Sequence, residues 1–184
     1  MCRANNTEGN CARALIDQGY NLSSDSSCRL TASTSLLNTD PKLDPAGLAN
    51  NGGPTQTIAL QPDSPAVDLM PAGSSCPATD QRGVSRPQGP TCDLGAFEMT
   101  AADGLRVMIH VVNSFQLAKS LQTSLDQQVQ TVLADQRAHQ TTQACQDLTS
   151  FIDYVQAQSG KGLTSVQATQ LLQEAAVIHA RLGC

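Results

Sequence analysis

All nine prolines of the chain lie at or before Pro90, and this asymmetry constrains the fold more than any other feature of the sequence. Proline lacks a backbone donor and clashes with the preceding helical turn, so most of the first half cannot be helical. After residue 103 the sequence becomes rich in Gln, Leu and Ala. This change predicts two units, residues 1–99 and 104–184, joined by a linker at residues 100–103.

The first unit consists of short apolar runs separated by turn residues. One example is the turn sequence Asn51-Gly52-Gly53-Pro54, which is followed by the alternating run 55–60. Short β-branched runs bounded by Asn-Gly and Pro are typical of short strands and tight turns. The first unit is therefore predicted to be β-structured.

The second unit repeats apolar residues with a period near 3.6, which is typical of amphipathic helices. Thr164 and Gln167 have the spacing of a capping box, and Gly160 and Gly162 can end the helix before it. The segment 105–115 is apolar enough to form a further helix. A bundle of three or four helices is predicted. The three apolar stripes are Leu117, Leu121, Leu125, Val129 and Val132; Cys145, Leu148, Ile152 and Val155; and Leu171, Ala175, Ile178 and Leu182.

Seven cysteines without a C-x-x-C pair favour disulfides in an oxidising compartment over a metal site. Antiparallel packing of the last two helices would bring Cys145 close to Cys184. The other cysteines pair most easily as Cys11–Cys28 and Cys76–Cys92, which leaves Cys2 for a partner upstream. The sequence begins without an export signal, so a fragment of a longer exported protein is expected.

Several motifs of the first unit, in their order, resemble the choice-of-anchor Q domain of bacterial parallel β-helix proteins, which is related to polymorphic outer-membrane repeats. Asp63, Leu69 and Met70 stand where that family usually has glycine or Ala-Gly. The resemblance implies that residues 1–99 are the last rungs and cap of a right-handed parallel β-helix, whose upstream rungs lie in the same parent chain. The motifs are Gly19–Asp25, Asp40–Leu43, Asn51–Thr57, Ser64–Asp68, Asp80–Pro87 and Cys92–Glu98.

Residues 104–184 resemble the FIMAH domain, a small C-terminal helical module of secreted bacterial proteins. The matching positions include Ala144-Cys145, the segment Val155–Lys161 and the end Leu182-Gly183-Cys184. Both resemblances imply a secreted or surface-displayed, adhesin-like bacterial protein. The cysteine content favours the same location independently of them.

The acidic residues of the first unit are the main candidates for a site. Such carboxylates could form a glycosidase-type pair or a calcium site. The favoured interpretation is structural: each lies in a turn bounded by Gly or Pro, where it can accept backbone N–H bonds and pair with arginine. The residues of this predicted polar network are Asp68, Asp80, Arg82, Arg86, Asp93 and Glu98.

No catalytic residue, metal site or cofactor is predicted. Oxygen-bearing side chains alternate at residues 21, 23, 25 and 27 as in calcium loops, but the closing Glu of an EF-hand is missing, so a solvated turn is favoured over calcium. None of His110, His139 and His179 belongs to an H-E-x-x-H motif. The sequence contains neither a nucleophile elbow nor a phosphate-binding loop.

Charge and composition limit the partners. The net charge of −5 argues against nucleic acid and anionic lipid, and there is no apolar run long enough to span a membrane. The chain is expected to be a non-enzymatic part of a secreted or cell-surface protein that binds an extracellular polymer, polysaccharide or cell-surface protein, or that ends a solenoid. The alternative is an accessory part of a polysaccharide-binding or polysaccharide-degrading enzyme, a lyase or hydrolase, whose active site lies upstream.

Overall fold

The computed structural model describes residues 9–13, 15–71, 73 and 76–184; Cys2, which the predicted pairings leave over, lies outside these residues. Two strands are followed by four helices along the described chain. The elements are β1 (Leu43–Ala49), β2 (Thr57–Leu60), α1 (Ala101–Ser114), α2 (Lys119–Arg137), α3 (Thr141–Gln158) and α4 (Ser165–Leu182).

The prediction of a parallel β-helix is wrong. The strands β1 and β2 form an antiparallel hairpin across the Asn51–Pro54 turn, with Leu43 opposite Leu60 and Ala49 opposite Thr57. Outside this hairpin the described residues show only isolated bridges, of which Leu22–Leu36 in the first unit is parallel. Left-handed backbone at non-glycine residues interrupts the extended segments that rungs would need. These residues include Tyr20, Arg29, Asn38, Lys42 and Asp68.

Two of the four described helices, α1 and α4, begin at capping boxes. Thr164 caps α4 and exchanges reciprocal bonds with Gln167, which confirms the predicted capping box. Gly183 ends α4 in the left-handed conformation, in which glycine meets no Cβ penalty. A second capping box joins Thr100 and Asp103 at the start of α1. The predicted linker 100–103 is therefore the cap and first turn of a helix.

One hydrophobic core runs through both predicted units. Leu60, Phe97 and Met99 of the first unit belong to the same buried cluster as Leu105 of α1 and Ile178 of α4. Helix α1 packs against both strands and also against α2 and α4. Because the two parts share buried apolar surface, each helps to exclude water from the other.

Candidate functional site

The structure brings the predicted polar network together at the junction between the first unit and the helices. The side chains of Arg82 and Arg86 are each only 2% exposed, and those of their partners Asp80 and Glu98 are fully buried. Buried charges are costly unless they are paired and hydrogen-bonded. Each of these side chains is paired with an opposite charge, and among the described residues only Nε of Arg86 lacks a hydrogen-bond partner within this group.

Arg82 lies at one end of the network and joins three segments. Its Nε donates to Asp80 at 2.9 Å, and one terminal nitrogen donates to Asp103 of α1 at 3.0 Å. The other terminal nitrogen donates to the carbonyl oxygen of Glu98 at 2.5 Å. The guanidinium also lies 3.6 Å from the centre of the Phe97 ring, a cation–π distance. Arg82 thus fixes the start of α1 to the loop before it.

Arg86 and Glu98 form the middle of the network. Arg86 donates to a Glu98 carboxylate oxygen at 2.9 Å and to the carbonyl oxygens of Asp93 and Gly95. Glu98 also accepts the backbone N–H groups of Gln88 and Asp93, both at 2.8 Å. Its carboxylate is therefore fully used by the protein itself.

Arg181 of α4 completes the network, although the sequence analysis missed it. It donates to Asp68 and Asp93 at 3.1 Å each and to the carbonyl oxygen of Met99 at 2.7 Å. Its side chain is 2% exposed. The sequence signal for it is its position three residues after the core residue Ile178, in a last turn that also contains His179. Arg181 ties the last helix to the turns of the first unit.

The pKa values of Asp80 and Asp93 are shifted in opposite directions by their surroundings. Burial acts to raise the pKa of Asp80, but hydrogen bonds from the backbone of Glu98 and Val84 and from Arg82 outweigh it, so the pKa is lowered. Burial raises the pKa of Asp93 to about 6, against hydrogen bonds from Met99 and Asp68 and the charge of Arg181. Both carboxyls are mainly ionised at neutral pH, as pairing with arginine requires.

Two glycines, Gly53 and Gly89, allow close contacts around the network. A Cβ on Gly53 would lie 2.9 Å from the Cα of Arg82. A Cβ on Gly89 would overlap the Asp68 carboxylate and lie 3.0 Å from Arg181. Neither place has room for a side chain, so these glycines serve packing around the buried charges.

The structure joins Cys11 to Cys28, Cys76 to Cys92 and Cys145 to Cys184, with Cα–Cα distances of 4.9, 6.3 and 5.8 Å. These are the pairs that the sequence predicts, and their separations are normal for disulfides. Three intramolecular disulfides indicate a secreted or extracellular protein. None of the helices in the described part of the chain has the length and hydropathy of a membrane span.

Residues 21, 23, 25 and 27, whose side chains carry oxygen atoms, lie in a turn that the carboxylate of Asp25 stabilises. This carboxylate accepts the hydroxyl of Ser27 at 2.6 Å and the backbone N–H groups of Ser27 and Asn10. The Ser27 bonds are the main reason that the pKa of Asp25 is lowered. Across the described residues there is no His, Cys, Asp and Glu cluster that could hold a metal ion.

The histidines do not meet in one site. His110 of α1 contacts Asp44 of β1 through Nδ1 at 2.9 Å. His139 lies just after α2, and His179 lies in the last turn of α4. Their separate positions favour local structural roles.

A cleft of about 580 Å³ lies apart from the buried network. One wall is the segment around Lys42, Gln61 and Asp63; the other is formed by the end of α1 and the start of α4. Its lining mixes charged, amide, hydroxyl and apolar side chains. The sequence does not predict this cleft, because its two walls are far apart in the chain.

Glu174 lies buried on α4, one turn beyond the cleft residue Gln170, and is completely inaccessible to solvent. Burial raises its pKa to about 8, against a hydrogen bond from Gln170, and the nearby Asp63 raises it further. Glu174 is therefore mainly neutral at pH 7. Within the described residues its second oxygen has no hydrogen-bond partner.

The chain matches no protein-family model, no curated protein and no solved structure.

Proposed function

We propose that this chain is a non-enzymatic module of a secreted or cell-surface bacterial protein that binds an extracellular polymer, polysaccharide or cell-surface protein. The observation that carries the proposal is the full use of the candidate catalytic carboxylates in structural bonds. Asp80, Asp93 and Glu98 are buried, and each accepts hydrogen bonds from backbone N–H groups and pairs with arginine. A glycosidase or lyase needs carboxylates that its substrate can reach.

The disulfides support the extracellular part of the proposal. They close loops in the first segment, in the proline-rich turns and between α3 and α4. A module held together at these places is suited to an environment without chaperones or reducing agents. The relationship to the choice-of-anchor Q and FIMAH domains is part of the proposal, and the order of the sequence motifs supports it.

A polysaccharide-binding accessory role is a second candidate. The open cleft favours it, since a polymer can reach this site without disturbing the buried network.

The test of the first proposal is an activity measurement on the oxidised protein. Purified chain is incubated with polygalacturonate and alginate, and new reducing ends and unsaturated products are measured. We expect no turnover above a heat-inactivated control. Turnover that is lost in Asp80→Asn or Asp93→Asn, while circular dichroism shows an intact fold, would contradict the proposal.

A further inference from the structure

We propose that the cleft between Lys42–Asp63 and the α1/α4 wall binds a neutral saccharide chain. This inference rests on the proposed extracellular binding function and names its ligand. The cleft volume of about 580 Å³ is in the range of sites that hold small organic ligands.

The α4 wall offers a row of exposed hydrogen-bonding groups. Ser165, Thr169 and Gln173 line the cleft at four-residue intervals, so they lie on one face of the helix. Among the described residues their side chains make no hydrogen bond to other parts of the protein. With a rise of about 1.5 Å per residue, the row extends about 12 Å, which is longer than one sugar ring. Hydroxyl and amide groups both donate and accept, as sugar hydroxyls do.

The opposite wall contains an unsatisfied buried acceptor. Asp63 pairs with Lys42 through one carboxylate oxygen, and its side chain is 5% exposed. The other oxygen has no hydrogen-bond partner in the part of the chain that the structure describes. Buried polar atoms are normally hydrogen-bonded, so this oxygen calls for a donor. In the proposed complex a ligand hydroxyl supplies that donor.

The amides between the walls are already held in position. Gln170 donates to Gln61 and to Glu174, both at 3.0 Å, and Gln61 donates to the carbonyl oxygen of Leu43 at 2.8 Å. Because these side chains are fixed before any ligand enters, binding does not have to order them. Phe115 and the exposed Val166 add apolar surface beside the polar groups, against which the C–H face of a sugar ring can pack.

The charged side chains of the cleft favour a neutral saccharide chain over an acidic one. Among the described residues that line the cleft, Asp40 and Asp63 face one cation, Lys42, which is already paired. The whole chain has a net charge of −5. A uronate polymer would therefore meet no unpaired cation among these lining residues and would be repelled, whereas a neutral chain pays no such cost.

The experiment uses the oxidised full chain and isothermal titration calorimetry. The probes are hexasaccharides of glucose, mannose, xylose and N-acetylglucosamine, with hexagalacturonate as the acidic comparison. We expect at least one neutral hexasaccharide to bind with a Kd below millimolar and at least about tenfold more tightly than hexagalacturonate.

Two cleft variants and two matched controls locate the binding. Thr169→Trp fills the cleft and should weaken binding at least about tenfold, and Gln173→Ala should weaken it about fivefold through one lost hydrogen bond. The controls Thr131→Trp and Gln130→Ala change the same residue types on exposed positions of α2 and should bind like the wild type. Circular dichroism checks that each variant is folded.

Three results would overturn the inference: no neutral hexasaccharide binds at millimolar concentration, hexagalacturonate binds as well as the neutral chains, or binding is unchanged in both cleft variants. Each of these three results tests only the proposed binding of saccharide in the cleft. Turnover of polygalacturonate or alginate would instead contradict the proposed non-enzymatic function, so the two failures are distinguishable.

Discussion

Replacing Glu174 by Gln should remove a pH-dependent destabilisation of the folded protein. In the folded chain burial raises the pKa of Glu174 from 4.5 to about 8. Between these values the folded state keeps a proton that the unfolded chain has lost. Stability therefore falls as pH rises through this window, and the full penalty is present above pH 8.

The size of the effect follows from the shift. Each pH unit inside the window costs about 1.4 kcal/mol of unfolding free energy. From pH 5 to pH 7.5 the wild type should lose about 3 kcal/mol through this residue. An amide has no proton to lose and keeps the oxygen that accepts from Gln170. Glu174→Gln should be close to the wild type in stability at pH 5 and about 3 kcal/mol more stable at pH 7.5.

The assay is urea unfolding of the oxidised chain at several pH values between 5 and 7.5, followed by circular dichroism. The difference between variant and wild type cancels contributions from other groups, including Asp93. Asp153→Asn, at an exposed position of α3, is the control for removing one acidic side chain, and its difference should change by less than about 0.5 kcal/mol. Parallel profiles for Glu174→Gln and wild type would refute the reasoning. A variant that becomes relatively less stable as pH rises would show that Glu174 is ionised in the fold.

Two further predictions test the packing between the first unit and the helices. Arg181→Met should lower the unfolding free energy by about 3–5 kcal/mol, because it leaves the buried Asp93 without its cation; Arg137→Met, at an exposed position, should cost less than about 1 kcal/mol in the same urea titration. Gly104→Ala should lower the melting temperature although alanine favours helices, because the new Cβ would lie 2.9 Å from Cγ1 of the buried Ile178. Equal stability of Arg181→Met and Arg137→Met, or a raised melting temperature for Gly104→Ala, would contradict these contacts.

Local patterns in the sequence determined the helices and the disulfide pairs. The apolar period of the second half depends on residues three and four apart, and the Thr164 capping box depends on residues within one turn. Once α3 and α4 are placed side by side, the Cys145–Cys184 pair follows. These features need no knowledge of distant parts of the chain.

Local sequence patterns did not predict the fold of the first unit correctly. Short β-branched runs between Gly and Pro turns occur in solenoid rungs and also in irregular segments around one hairpin. Only the pairing partners distinguish them. The apolar pattern of a short run does not show whether it pairs with its neighbour in a hairpin, as β1 and β2 do, nor whether left-handed backbone at positions such as Lys42 and Asp68 interrupts it. The structure shows an antiparallel hairpin where stacked parallel rungs were expected.

The buried charges show most clearly which features the sequence indicated and which depended on the tertiary structure. The sequence pointed to the carboxylates and to Arg82 and Arg86, because turn motifs place acids and arginines near each other. It did not point to Arg181, which lies 88 residues from Asp93 in the chain, or to the cleft whose walls lie as far apart as Gln61 and Gln170. The Arg181 ion pairs and the cleft arise where separate elements pack together, so only the tertiary structure decided them.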